Sequence, residues 1–406
     1  MVFDGSEARM NERFYHPELD RLRFFAFFVV FIHHVFPQDP AAYDRLGFFL
    51  GKVAASCTLA GSLGVDLFFC LSSFLITTLL LREFDLRGGL DVRAFWVRRI
   101  LRIWPLYFFF LGLTMLIVPL VLPKDHLDGL YLVAFVLLAG NWICVAEGYP
   151  PSVAAPLWSV SIEEQFYLIW PLLLSIVTRR RLVHLAVGCL VIATATRVLA
   201  VQWGVAHPGI WCNTFARLDP IAFGALFAVF NHNRSYSIPV SVRVALAVAG
   251  LALPPLLLFV LGKDCFNSAS GILFYPLIAL ACVFVLAAVF KPGDGKDTNG
   301  SSRISTAFAY LGRISYGLYV FHALAIALAL SWIPAVPTES ISQGAIRFTV
   351  RSAAAIILTV VLAAVSYAFL EKPFLRLKKR FTYVQSTPGN EPSGRANELR
   401  EAGVES

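Results

Sequence analysis

The stretch Arg23-Phe24-Phe25-Ala26-Phe27-Phe28-Val29-Val30-Phe31-Ile32-His33-His34 sets nine consecutive apolar residues between an arginine and two imidazoles. Read on to about residue 37, it suits a helix that enters a membrane. Ionisable groups are costly in hydrocarbon, which makes Arg23 and His34 functional candidates. Eleven steps of helix rise about 16 Å and complete roughly three turns. Both side chains therefore look along nearly the same face, with Arg23 at one membrane surface and His34 deep or near the other.

The rest of the chain agrees with a membrane reading. Its 406 residues are 58% hydrophobic and 15% charged, and the mean hydropathy is +0.69, too apolar for a soluble domain of this length. No cleavable signal is visible in the polar stretch Met1 to Leu22, so the first span serves as the insertion signal. The net charge of +8 comes from short basic runs between apolar segments. That distribution is a topology signal rather than a nucleic-acid footprint, and no nucleic-acid partner is expected. Seven cysteines occur without a CxxC pair, which argues against zinc or any other metal and against a disulfide framework. Cys212 and Cys265, in loops on one side, are the single pair considered for a bridge.

Eleven apolar stretches suit helices, at 24 to 37, 63 to 81, 103 to 122, 128 to 146, 157 to 177, 182 to 201, 214 to 230, 241 to 261, 271 to 290, 307 to 331 and 346 to 370. The positive-inside rule wants the basic clusters at Arg82 to Arg102 and at Arg179-Arg180-Arg181 on the cytoplasmic side. Three stretches separate them, so one does not cross. The stretch 128 to 146 contains Gly140-Asn141-Trp142 and runs into Gly148-Tyr149-Pro150-Pro151, which suits a re-entrant or interfacial element. The expected fold is an all-α polytopic bundle of about ten transmembrane helices plus that segment, in the cell inner (plasma) membrane with both termini cytoplasmic. Three regions follow: a cytoplasmic segment 1–22, a membrane domain 23–375, and a basic, then disordered cytoplasmic tail 376–406. The topology gathers His34, Asp66, Glu163, Arg217, Asp219 and His322 toward the outer side. It gathers Arg23, Arg98, Arg99 and Arg102 at the cytoplasmic side.

Four further blocks follow the Arg23–His34 run. They are Gly64-Val65-Asp66-Leu67-Phe68-Phe69-Cys70-Leu71-Ser72-Ser73; Phe95-Trp96-Val97-Arg98-Arg99-Ile100-Leu101-Arg102-Ile103-Trp104-Pro105; Leu157-Trp158-Ser159-Val160-Ser161-Ile162-Glu163-Glu164-Gln165-Phe166-Tyr167; and Leu311-Gly312-Arg313-Ile314-Ser315-Tyr316-Gly317-Leu318-Tyr319-Val320-Phe321-His322. With the Arg-x10-His spacing, this order resembles the acyltransferase-3 family of membrane-bound O-acyltransferases over nearly the whole chain. One departure is plain: the family shows Ser-Gly where this chain has Ser72-Ser73. A missing glycine there tightens close helix or ligand approach and bears on which acyl chain fits.

The residues suggest roles beside the resemblance. A neutral imidazole at His34 can take the proton of an acceptor hydroxyl as it attacks an acyl thioester; the bland alternative is a packed histidine bonded to backbone, and His33 ranks second. Asp66 suits the carboxylate that orients the imidazole, or else a helix-terminal acid facing water. Glu163 and Glu164 are adjacent, so only one faces a shared site, and the resemblance favours Glu163. Arg98, Arg99 and Arg102 suit phosphate oxygens or anionic headgroups, and Arg23 has the same two readings. Trp158, Tyr316 and His322 are candidate substrate contacts, although the aromatics also suit interfacial packing. Arg217 and Asp219 read as an intramembrane pair.

The resemblance implies transfer of an acyl group, often acetyl, from cytoplasmic acyl-CoA to a hydroxyl of a carbohydrate or glycosylated acceptor at the outer side. Arg23, Arg98, Arg99 and Arg102 would hold the cofactor's phosphates, and His34, Asp66 and Glu163 would carry catalysis, by direct transfer or through an acylated His34. The expected partners are the lipid bilayer, acyl-CoA and that acceptor, and a homo-oligomer is compatible. The rival class is a proton-coupled transporter or channel with His34, Asp66 and Glu163 as a proton relay. The arginine cluster and the lack of a repeated half-sequence favour the enzyme.

Overall fold

A computed structural model describes residues 14–178, 181–292, 302–334 and 340–384. Arg179, Arg180, most of the connector between Lys291 and Ser302, and the tail from Ser386 lie outside the described residues, as does the start of segment 1–22. Every regular element among the described residues is helical, in line with the all-α expectation. The long elements are α1 (Pro17–Val35), α2 (Phe48–Ala60), α3 (Gly64–Arg87), α4 (Val92–Leu116), α5 (Gly129–Val136), α6 (Gly140–Glu147), α7 (Trp158–Ile176), α8 (Leu182–Gln202), α9 (Leu218–Asn231), α10 (Val240–Leu261), α11 (Gly271–Val289), α12 (Arg303–Arg313), α13 (Ser315–Trp332), α14 (Ile341–Ser366) and α15 (Lys372–Lys378).

Local chemistry explains several boundaries. Proline at the first helical position and Glu18 and Asp20 in the first turn start α1 at Pro17, where proline lacks only an N–H that would be unpaired anyway and acids favour the helix N-terminus. Asp91 caps α4 by accepting from the Ala94 N–H at 2.9 Å, and Ser340 with Gln343 forms a capping box at α14. The stretch 128 to 146 is two eight-residue helices, α5 and α6. Leu138 between them has a φ of 56°, a left-handed conformation that breaks a helix.

Seven helical segments are long and apolar enough to cross a membrane: Phe48–Arg87, Val92–Leu116, Leu182–Gln202, Val240–Leu261, Gly271–Val289, Ser315–Trp332 and Ser342–Lys378. Helices α1, α7 and α9, each expected as a crossing, are not among them. Four charged residues open α1, the Glu163-Glu164-Gln165 run dilutes α7, and α9 has 14 residues. Their setting explains the composition. The apolar window of α10 is 11% buried, and those of α8 and α14 are 22% buried, so these helices present apolar faces outward. By contrast, α7 and α9 bury Ser161, Glu164 and Asp219. Polar groups inside a membrane bundle belong where other helices shield them.

The path Phe48–Arg87 is 40 residues long, about 60 Å of helix, or twice the hydrocarbon thickness. A single 3₁₀ turn at Gly61–Leu63, with right-handed helical backbone on either side, joins α2 to α3. At this turn a Cβ on Gly61 would run into the Val29 carbonyl and the His33 side chain, and one on Gly64 into the Ala26 carbonyl. Two glycines one turn apart thus let the backbone of α1 lie against the α2–α3 junction, which fixes where His33 and His34 sit. Helix α9 lies along α3 through a comparable contact, Gly224 against the Cys70 carbonyl and Ser73.

Candidate active site

Helix α1 joins two cavities. At its arginine end, Arg23, Ser72, Arg99, Arg102, Glu163 and Tyr316 line a pocket of about 70 Å³. At its histidine end, His33, His34, Trp158, Tyr149, His207 and Trp211 line a far larger cavity of about 1150 Å³. Val65 and Tyr319 line both, so these two side chains stand between them.

Three imidazoles gather at the histidine end: His33 and His34 line the large cavity, and the buried His322 packs against His34. His34 Nδ1 bonds the Val30 carbonyl of its own helix at 2.8 Å, and His33 Nδ1 bonds the Thr58 carbonyl of α2 at 2.9 Å. His322 Nδ1 bonds the Tyr319 carbonyl. A carbonyl can only accept, so each Nδ1 carries the proton and each Nε2 is left with its lone pair. The ring centroids of His34 and His322 lie 4.9 Å apart at 69°. His322 is fully buried, and its Nε2 has no partner.

Asp66 does not touch His34. Its carboxylate accepts from Arg217 Nη2 at 2.8 Å, and both residues are buried; the Val30 carbonyl occupies the place on His34 that an orienting acid would take. Arg217 and Asp219 are likewise not a pair. Asp219 is held by Arg197 of α8 through both carboxylate oxygens, a partner the sequence reading missed because arginine in an apolar helix signals a mate without naming it. Arg217 also stacks 4.0 Å from the Trp211 ring centroid. The two crossed pairs tie α3, α8 and α9 together near the large cavity.

At the arginine end, Glu163 faces the pocket and accepts from Ser72 Oγ at 2.7 Å, and Tyr167 donates to the same Ser72 oxygen at 3.3 Å. Glu164 turns the other way and accepts from Trp104 Nε1 at 2.9 Å. Adjacent residues diverge by about 100° on a helix, so only one could reach the pocket. The same divergence splits the arginines. Arg99 and Arg102 line the pocket, whereas Arg98 donates to Glu83 at 2.8 Å and to the Phe381 carbonyl at 2.6 Å. Among the described residues neither Arg99 nor Arg102 forms an ion pair, and Arg23 has only Asp20, at 3.8 Å. Tyr316 lines the pocket and donates to the Ile103 carbonyl at 3.1 Å.

Ser73, the departure noted in the sequence, donates to the Ile221 carbonyl of α9 at 2.6 Å. It therefore answers the close approach of α9 and does not line either cavity. Trp158 lines the large cavity and stands 6.1 Å from Trp211, ring to ring. Trp211 and His207 come from a loop that the sequence reading passed over, and Tyr149 from the Gly148–Pro151 run that it took only as a sign of a re-entrant or interfacial element. Burial holds the His207 imidazole below its ordinary range, so that loop histidine also favours the neutral form. All seven cysteines are free, Cys212 and Cys265 included.

The family description "Acyltransferase domain" matches residues 16–370, which takes in both cavities and every helix from α1 to α14. The chain belongs to the acyltransferase-3 family. Among its relatives, a Staphylococcus aureus (strain MSSA476) protein provisionally named O-acetyltransferase SAS0844 is 28% identical over 89% of this chain and 57% of its own length. The peptidoglycan O-acetyltransferase OatA of Listeria monocytogenes is 27% identical over 89% of this chain and 56% of its own. A Bacillus subtilis protein provisionally named peptidoglycan O-acetyltransferase YrhL is 29% identical over 88% and 55%. The chain thus spans a little over half the length of these acyltransferase-3 relatives. No solved structure matches it.

Proposed function

We propose that this acyltransferase-3 protein moves a short acyl group, acetyl above all, from acyl-CoA at the arginine end to a carbohydrate hydroxyl in the large cavity. The observation that carries this reading is the pair of unlike cavities that share Val65 and Tyr319 in their linings. Arginine forks suit phosphate oxygens, so Arg23, Arg99 and Arg102 would hold the nucleotide end of the donor. A flexible arm crossing the roughly 16 Å of helix between Arg23 and His34 would bring the thioester to the imidazole wall. The large cavity, lined by Trp158, Trp211 and Tyr149 among others, would hold the acceptor; relatives named for peptidoglycan acetylation support a cell-wall glycan.

In this reading His34 Nε2 takes the proton of the acceptor hydroxyl while that oxygen attacks the thioester carbonyl. The tetrahedral intermediate then expels the thiolate of CoA, which recovers the proton from the imidazolium. The Val30 carbonyl holds the imidazole in the tautomer that the first step needs, a task that hydrolytic triads give to an acid. Glu163 sits among the arginines on the donor side of Tyr319, where with Ser72 it positions the arm and balances charge. The arginine end would face the cytoplasm of the plasma membrane, with both termini on that side.

Purified protein supplied with acetyl-CoA and soluble peptidoglycan fragments should release CoA in step with acetylated glycan found by mass spectrometry. Absence of CoA release and of thermal stabilisation by CoA, alongside stabilisation by a transportable solute, would favour the transporter reading instead.

A further inference from the structure

Two residues line both cavities, and Tyr319 is the bulkier of them. Tyr319, 8% exposed, lines both cavities, and Val65, 6% exposed, is the other shared residue. The phenol is tied to the start of α7: its hydroxyl hydrogen-bonds Ser159 Oγ at 2.6 Å and reaches the Pro156 carbonyl at 3.0 Å. Its ring meets Phe68 edge-on, centroids 6.0 Å apart, and stands 5.4 Å from the ring of His322. A bulky ring held at its far end by hydrogen bonds makes a fixed wall.

We propose that Tyr319 is the girth-selecting residue of acyl transfer, admitting acyl groups no wider than the arm that carries them. The inference rests on the acyl-CoA reading above. Any acyl group delivered from the arginine end to His34 passes beside Tyr319 before the arm does. Length matters little at a throat, because an unbranched chain has the cross-section of the unbranched thiol end of the arm behind it and opens into the large cavity beyond. Width matters much, since a branched or aromatic acyl group must displace a ring whose hydroxyl is doubly engaged. Ser159 acts through Tyr319 and is a positioning residue for it.

The test compares kcat/KM for acetyl-, hexanoyl- and benzoyl-CoA in the full chain, wild type against Tyr319→Ala, with thermal unfolding to confirm folding. Removing the ring should raise the benzoyl-to-acetyl ratio by at least about tenfold, the scale on which a pocket senses one extra group, and change the hexanoyl-to-acetyl ratio by well under that amount. Ser159→Ala should shift the benzoyl ratio in the same direction by less. Should Tyr319→Ala fail to fold, Tyr319→Leu keeps an apolar side chain, removes the ring and is read the same way. A benzoyl ratio unchanged while wild-type protein transfers acetyl overturns the throat alone. A hexanoyl ratio that moves as far as the benzoyl ratio overturns selection by girth. Wild-type protein that turns over no acyl-CoA overturns the acyl-transfer reading and takes the throat with it.

Discussion

The rings of His34 and His322 meet edge to face with centroids 4.9 Å apart, and each places its Nδ1 on a backbone carbonyl of its own helix. Two residues 288 positions apart in the chain are thereby held in the same tautomer, each with a basic Nε2. The Nε2 of His322 is buried without a partner, and an unsatisfied buried polar atom costs about 1–3 kcal/mol. The ring packs against that of His34, which lines the large cavity, and this makes the unpaired nitrogen a candidate functional group.

Replacing His322 by Phe keeps a ring in the packed space and removes that nitrogen. Transfer should fall by about tenfold or more, within the range attributed to acid–base groups, with thermal stability unchanged or raised. Steady-state transfer and a melting curve on the same preparation check both halves.

Asp66 should act through stability. Asp66→Ala strands Arg217 in a buried site, and breaking a buried pair costs about 3–5 kcal/mol. The double variant Asp66→Ala with Arg217→Met should recover much of that loss. Transfer per folded molecule should follow the melting temperature in all three variants. An Asp66→Ala protein that melts normally yet transfers nothing would return Asp66 to the role of orienting acid.

The arginines should separate by function. Arg99→Ala and Arg102→Ala should each raise KM for acetyl-CoA about ten- to a hundredfold, the worth of one hydrogen bond to a charged group, with kcat little changed. Arg98→Ala should leave KM near normal and lower stability, because Arg98 is spent on Glu83 and Phe381. Titration of the three proteins with acetyl-CoA distinguishes them.

Gly61 and Gly64 should be as sensitive as the imidazoles they position. Gly61→Val would push against the Val29 carbonyl and the His33 side chain and shift α1 by part of an ångström or more. Small misplacements of reacting groups cost about a hundredfold in rate. Transfer by Gly61→Val should therefore collapse while CoA binding at the other end of α1 persists.

Much of this site is legible in the sequence because polar residues stand out against an apolar background. Arg23, His34, Glu163 and His322 are conspicuous for that reason, and the divergence of neighbours on a helix already limits Glu163 and Glu164 to one pocket-facing residue. Partners are harder to read. Arg217, Asp219, Asp66 and Arg197 form crossed pairs rather than neighbouring ones, since pairing depends on which helices touch. Tyr319 is illegible for the opposite reason: a tyrosine in an apolar helix has the same surroundings in sequence whether it packs or walls a channel. The helix Phe48–Ala60 lies outside the eleven apolar stretches because Gly51, Lys52, Ser56 and Thr58 dilute its apolar run. Ser73 shows that a departure from a family motif can concern helix packing and not the ligand.

The central claim is that His34 is the base that meets the thioester. Its most direct test is a single-turnover measurement on His34→Ala, with acetyl-CoA binding measured on the same sample. The expected result is CoA binding within about twofold of wild type and a transfer rate lower by roughly 10²- to 10⁴-fold, the usual contribution of a positioned acid–base group. Near-normal transfer by His34→Ala would contradict the claim.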